Sequence, residues 1–202
     1  MNERIVRRFI NIAAIALVLG MLGTLIFAPY VGNEPGDYEV KQGDIRLTEG
    51  SYEEAIESFN KALEIQPNHR GALMGRAVAY IEMGEVDKAE AELDYLIDYL
   101  ERNVDQEDAT GVGVLAAAYA NRGVIKDRQG RHEEALADYI EAIRIDEGAL
   151  AGPSIFDEII YGYQATSVRD RAEYIAKELQ KPEDERLLRL PPLDEEQRTY
   201  KP

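Results

Sequence analysis

The sequence predicts an all-α protein, a stack of helix hairpins preceded by a single transmembrane helix. Three observations predict it. An apolar stretch of twenty residues, 9–28, stands near the start of the chain. Amphipathic segments broken at short intervals follow from Gly36 onward. Those segments repeat, with Gly50 and Gly84 set 34 residues apart in matching surroundings. A period of that size marks stacked supersecondary units, none of which buries its apolar face alone.

Residues 9–28 are interrupted only by Asn11 and Thr24 among apolar or small side chains. At about 1.5 Å per residue, a helix of that length covers about 30 Å, the thickness of a bilayer's hydrocarbon core. Arg4, Arg7 and Arg8 precede the stretch, and Asn33, Glu34, Asp37 and Glu39 follow it. The positive-inside rule then keeps residues 1–8 in the cytoplasm. It makes the chain a single-pass protein of the inner (cytoplasmic) membrane with a periplasmic body. A cleaved signal peptide is the competing reading. Its apolar region is shorter, about 7–15 residues, and ends in a small-residue site. Here Ala28 is followed by Pro29 and preceded two positions back by the bulky Ile26. An uncleaved signal anchor over 9–29, with a linker at 30–35, fits better. Ala16, Gly20 and Thr24 recur every four residues and form a small-residue stripe that two membrane helices could share. The stripe reads equally as ordinary small residues of a spanning helix.

Acidic residues outnumber basic ones, 39 to 23, for a net charge of −16. The first 32 residues carry +2, which leaves −18 on the remainder. Such a body repels nucleic acid and anionic lipid. There is no cysteine, which excludes disulfides, thiolate metal sites and thiol nucleophiles together.

The repeat is specific because several offsets agree at once. A small residue (Gly43, Ala77, Gly123) falls where the first helix of each unit meets the second. Seven residues on, a glycine (Gly50, Gly84, Gly130) occupies the turn, where positive φ costs it little. Five further stands an alanine (Ala55, Ala89, Ala135), and four beyond it a large residue (Phe59, Leu93, Tyr139). The pattern resembles the tetratricopeptide repeat, a helix–turn–helix unit of about 34 residues. The resemblance covers residues 36–147 and reaches the following segment only loosely. It implies a right-handed superhelical stack of about three hairpins, at 36–69, 70–115 and 116–149.

The departures from the family pattern matter too. Gly84 and Gly130 stand 46 residues apart, so the second unit carries twelve extra residues around 103–115. It has Glu101 where the first has Pro67, and the third has Glu147. The second unit's second helix is therefore expected to run long, through residues 98–101, before a loop at 104–108. Pro153 suits a helix start, and Ile155, Phe156, Ile159, Ile160 and Tyr163 give an apolar stripe. A second helix over about 169–181 turns Ala172, Ile175, Ala176 and Leu179 inward. Together they predict a degenerate capping hairpin at 150–181, the atypical end that a repeat stack requires. An extended, proline-containing tail follows at 182–202. Its apolar residues Leu187, Leu188, Leu190 and Leu193 either fold back on the stack or strap a partner; Pro191 and Pro192 bar a regular helix.

Chemistry is hard to find. The two histidines, His69 and His132, sit in turns between helices and read as structural. No hydrolase triad order, zinc-protease motif or phosphate loop is present. A calcium loop counted from Asp105 needs glycine sixth and glutamate twelfth, and Thr110 and Ala116 stand there. The paired carboxylates read as a solvated loop, and Gly111 and Gly113 as a helix entry or hinge. Tyr80, Tyr119 and Tyr139 sit at core offsets. No catalytic residue, metal, cofactor or small-molecule substrate is indicated.

In the family that the pattern resembles, the first helices line the inner face of the superhelix. The matching offsets here are Val40, Asp44, Leu47, Met74, Val78, Ile81, Asn121, Val124 and Arg128. That largely apolar set suits an extended or helical peptide. Only Asn121 and Arg128 resemble the groups with which some members clasp a terminal carboxylate. The expected function is a membrane-anchored scaffold or assembly factor that binds membrane or envelope proteins. The layout also resembles that of permanent accessory subunits of translocon, respiratory or photosynthetic complexes in bacteria, which is the alternative. Either way the partners are proteins, without nucleic acid.

Overall fold

The computed structural model describes residues 34–105, 107–146 and 168–189. Residues 9–29, with Ala16, Gly20 and Thr24, lie outside them, as do the first helix expected of the cap, Leu190 and Leu193. Among the described residues no helix is long and apolar enough to cross a membrane.

Seven α-helices are described: α1 (Asp37–Thr48), α2 (Tyr52–Ile65), α3 (Arg70–Glu82), α4 (Val86–Asn103), α5 (Ala109–Arg128), α6 (His132–Ile145) and α7 (Val168–Leu179). A short 3-10 turn, Glu183–Glu185, follows. The first six pair as hairpins α1–α2, α3–α4 and α5–α6, and α7 packs on α6. Each hairpin turns on a glycine with positive φ: Gly50 at 77°, Gly84 at 74° and Gly130 at 78°. The amide after that glycine donates back to the last turn, as Ser51 to Arg46, Glu85 to Tyr80 and Arg131 to Lys126. This is a left-handed helix stop, which glycine adopts without a Cβ penalty. The glycine expectation at these turns holds.

The core follows the repeat offsets. Ala55, Ala89 and Ala135 are fully buried, as are Phe59, Leu93 and Tyr139. The Phe59 ring lies where a Cβ on either Gly43 or Gly75 would stand, so it locks the first hairpin to the second. Tyr139 occupies the matching place against Gly123, 2.6 Å from where a Cβ would sit.

Arginines at equal offsets clasp successive hairpins. Arg76 of α3 donates to both oxygens of Glu92 on α4, at 2.7 and 2.9 Å, and to Asn60 of α2 at 2.6 Å. Arg122 of α5 does the same to Asp138 of α6, at 2.9 and 2.7 Å, and to Asp94 of α4 at 2.7 Å. Each guanidinium thus ties its own hairpin to the preceding one with the two-pronged geometry that arginine favours.

The twelve extra residues of the second unit form helix more than loop. Helices α2 and α6 are 14 residues long, whereas α4 has 18; α5 has 20 where α3 has 13. The expected extension of α4 through 98–101 is present. Helix α4 ends at Asn103 and α5 starts at Ala109, on either side of the expected loop, and residues 109–115 are the first two turns of α5. The 115/116 boundary between second and third units therefore falls inside a helix. Asp108 makes that helix start, since its side chain accepts from the Gly111 amide at 2.9 Å. Glu101, in place of a closing proline, accepts the Tyr119 hydroxyl at 2.5 Å and fastens the longer α4 to α5.

Helix α7 is the second helix expected of the cap. Ala172 and Ile175 are buried against the stack. Its Arg171 donates to Asp127 at 2.6 and 2.8 Å, a buried pair that also receives His132 at 3.0 Å. His132 and His69 are structural in their contacts, and no cluster with metal-ligating character occurs among the described residues. The tail folds back along α7. Leu188 gives its carbonyl to Arg171 at 3.1 Å and Leu187 its carbonyl to Tyr174 at 2.5 Å, while the Leu187 amide donates to Glu178 at 2.8 Å.

Candidate protein-binding groove

Helices α1 and α3 and the early turns of α5 wall a concave cleft of ≈ 320 Å³. The α1 side supplies Val40 and Asp44, with Asp37 and Glu34 just before them. Helix α3 and its cap residue supply His69, Arg70, Gly71 and Met74. The third wall is Thr110 and Val114. That wall exists because α5, counted back from its turn glycine, begins seven residues earlier than α3 and eight earlier than α1.

Polar contacts hold the rim. Arg70 pairs with Asp108 and lies 3.7 Å from Glu34, which also accepts from Gln66 at 3.1 Å. The Gly111 amide and then Arg70 hold the Asp108 carboxyl below its ordinary value. His69 is 4% exposed, and its Nε2 lies 3.1 Å from Asp37 Oδ1. A carboxylate only accepts, so Nε2 is the donor there.

Of the nine inner-face residues expected from sequence, Val40, Asp44 and Met74 line this cleft. Leu47 is half-buried against the core. Val78, Ile81 and Val124 belong to one buried cluster, because α5 packs directly on α3 and covers these positions. Asn121 is buried too, with its Nδ2 3.4 Å from the sulfur of Met74. Arg128 is exposed at the end of α5, where its carbonyl accepts from Arg189. Asp37, His69, Arg70, Thr110 and Val114 were not among the expected residues. The signal for the last two was an aspartate three residues before Gly111, the spacing of a helix cap.

Residues 46–102 and 116–148 each match a family model described as tetratricopeptide repeat. These segments are tetratricopeptide repeats. A repeat-containing protein of Methanocaldococcus jannaschii is 30% identical over 79 residues, which are 39% of this chain and 14% of that protein. Among solved structures, the first tetratricopeptide domain of Spaghetti (RPAP3) bound to the HSP90 peptide SRMEEVD gives a TM-score of 0.52 at 18% identity. That match covers 73% of this chain and 94% of the other. The NMR structure of the first such domain of human RPAP3 gives 0.52 at 17%, covering 71% and 91%. At these identities the likeness is one of fold. The tetratricopeptide stack is a protein-interaction architecture, and its inner face is where this chain carries the cleft.

Proposed function

We propose that the chain is a membrane-anchored scaffold or assembly factor that holds a segment of a partner protein in the cleft between α1, α3 and α5. The observation that carries this reading is the cleft itself, a concave trough on the inner side of a repeat stack with an apolar floor and a polar rim. The RPAP3 domain of the same fold was solved with a peptide bound, which supports a peptide as occupant. Anchoring rests on residues 9–28, whose length and flanking charges suit a signal anchor with the body on the periplasmic side. An anchor raises the effective concentration of the groove toward membrane partners without any added contact.

Mild-detergent purification of the full chain from native membranes, followed by quantitative mass spectrometry, tests the reading. Substoichiometric recovery of several envelope proteins is expected, with recovery lost when Thr110→Arg fills the cleft mouth. One complex recovered near one-to-one would make the chain a permanent accessory subunit instead.

A further inference from the structure

Resting on the anchor reading above, we propose that the open face of α1 docks on the zwitterionic lipid surface of the bilayer that holds the anchor. Tyr38 and Ile45 enter the headgroup layer, and Lys41 between them holds its ammonium at phosphate level. The repeat itself exposes this face. Tyr38 and Ile45 stand twelve and five residues before the turn glycine Gly50. The same offsets before Gly84 and Gly130 are Ala72 and Ala79, then Ala118 and Ile125, each at most 2% exposed. Those four are buried because α3 packs on α2 and α5 on α4. No described hairpin precedes α1, so Tyr38 is 70% exposed and Ile45 53%. Lys41, three residues from one and four from the other, is exposed on the same helix face.

The length of chain ahead of α1 points to what covers that face. The apolar stretch ends at residue 28. Glu34 is already fixed to the body, its side chain accepting from Gln66 at 3.1 Å and its amide donating to Asp37 at 2.7 Å. Residues 29–34, at no more than about 3.6 Å each, leave Glu34 within about 22 Å of the hydrocarbon edge. Headgroups fill about 5–8 Å of that gap. So short a tether holds the first hairpin at the surface. Three of the six large apolar side chains exposed among the described residues, Tyr38, Ile45 and Ile65, belong to that hairpin. Tyrosine suits the interface, with an apolar ring and a hydroxyl that stays wet, and lysine buries its stem while its charge stays out. Charge chooses the lipid, since a body of net charge −18 is repelled by an anionic bilayer. A tethered surface needs little affinity of its own. A second copy is a poorer occupant. Lys41 is the middle of the face, so self-pairing in either direction sets it against its own copy.

The protein has no tryptophan, so each one introduced is a lone probe. Tyr38→Trp, Ile45→Trp and Pro67→Trp, all at exposed sites, are made in the full chain. Each is reconstituted into phosphatidylcholine vesicles with and without a spin label at the headgroup end of the acyl chain. Pro67 adjoins Gln66, the partner of Glu34, so it lies beside the tether but off the open face of α1. Ile45 stands about 10 Å further along α1 than Tyr38. The probes at 38 and 45 are expected to emit at shorter wavelength on reconstitution and to be quenched at least about threefold more than the probe at 67. Equal quenching at 38 and 67, or quenching at 38 without 45, means proximity through the tether alone and overturns the inference. A shorter emission wavelength at 38 that the labelled lipid does not quench means a protein occupant and also overturns it. An alkaline carbonate wash separates this from the anchor reading. Chain retained by the vesicles but unquenched at 38 and 45 removes the inference alone; chain released by the wash removes both.

Discussion

At the scale of single residues, two glycines in helices make opposite predictions. Replacing glycine by alanine inside a helix gains roughly 0.5–1 kcal/mol of backbone entropy wherever the Cβ has room. At Gly113 of α5 nothing stands within 4 Å of the new atom, so Gly113→Ala should raise stability by about that amount. At Gly75 of α3 the Cβ would enter the Phe59 ring, which is fully buried and has Gly43 on another side. Overpacking of that kind costs about 1–3 kcal/mol, more than the entropy gained. Gly75→Ala should therefore lower the denaturation midpoint while Gly113→Ala raises it. Two shifts of the same sign would show that Phe59 moves aside. Gly43 was legible as a packing glycine because its offset repeats at Ala77 and Gly123. Gly75 was not, because its need arises from a ring on the preceding hairpin.

At the scale of elements, α5 decides the groove, and its start hangs on Asp108. The carboxylate accepts from Gly111 and pairs with Arg70, and these contacts depress its pKa in the order named. A depressed carboxylate contributes stability that is complete above its unfolded pKa and is lost as pH falls through the folded value. Hydrogen exchange at Gly111, Val112 and Gly113 should therefore stay protected down to about pH 4 and quicken below it. Asp108→Ala should produce the fast exchange at neutral pH, leaving α3 amides unaffected. If both helices respond alike, the cap is not what separates them. The hairpins, their turns and the longer α4 were legible in sequence, since periodicity and turn glycines are local signals. The early start of α5 was obscured because Thr110, Gly111 and Gly113 are weak helix formers and a capping aspartate resembles a solvated loop. The groove was half legible for a related reason. Inner-face offsets show which way a residue faces on its own helix, but not that α5 covers Val78 and Ile81 of α3.

At the scale of the molecule, the stack is a chain of neighbour contacts, so its stability is local and its ends are weakest. Glycine turns repeat along α1–α6 and arginine clasps along α2–α6, whereas α7 is joined differently, through Arg171 and a buried Asp127. Removing one member of a buried pair strands the other charge, at a cost of about 3–5 kcal/mol. His132 and Tyr139 also contact Asp127 and soften that loss without supplying a second guanidinium. Arg171→Leu should thus release α7 and residues 182–189, whose contacts run through Arg171, Tyr174 and Glu178. Exchange protection should fall first there and then in α6, while α1–α3 keep theirs. Adding Asp127→Leu removes the stranded charge and should recover part of the loss, because an apolar pair of similar size carries no desolvation penalty. A double variant weaker than Arg171→Leu alone would mean that Asp127 serves chiefly to order His132 and Tyr139. Protection lost evenly from α1 to α7 would mean that the stack unfolds as one unit, and the clasps at Arg76 and Arg122 would then be its cooperative links.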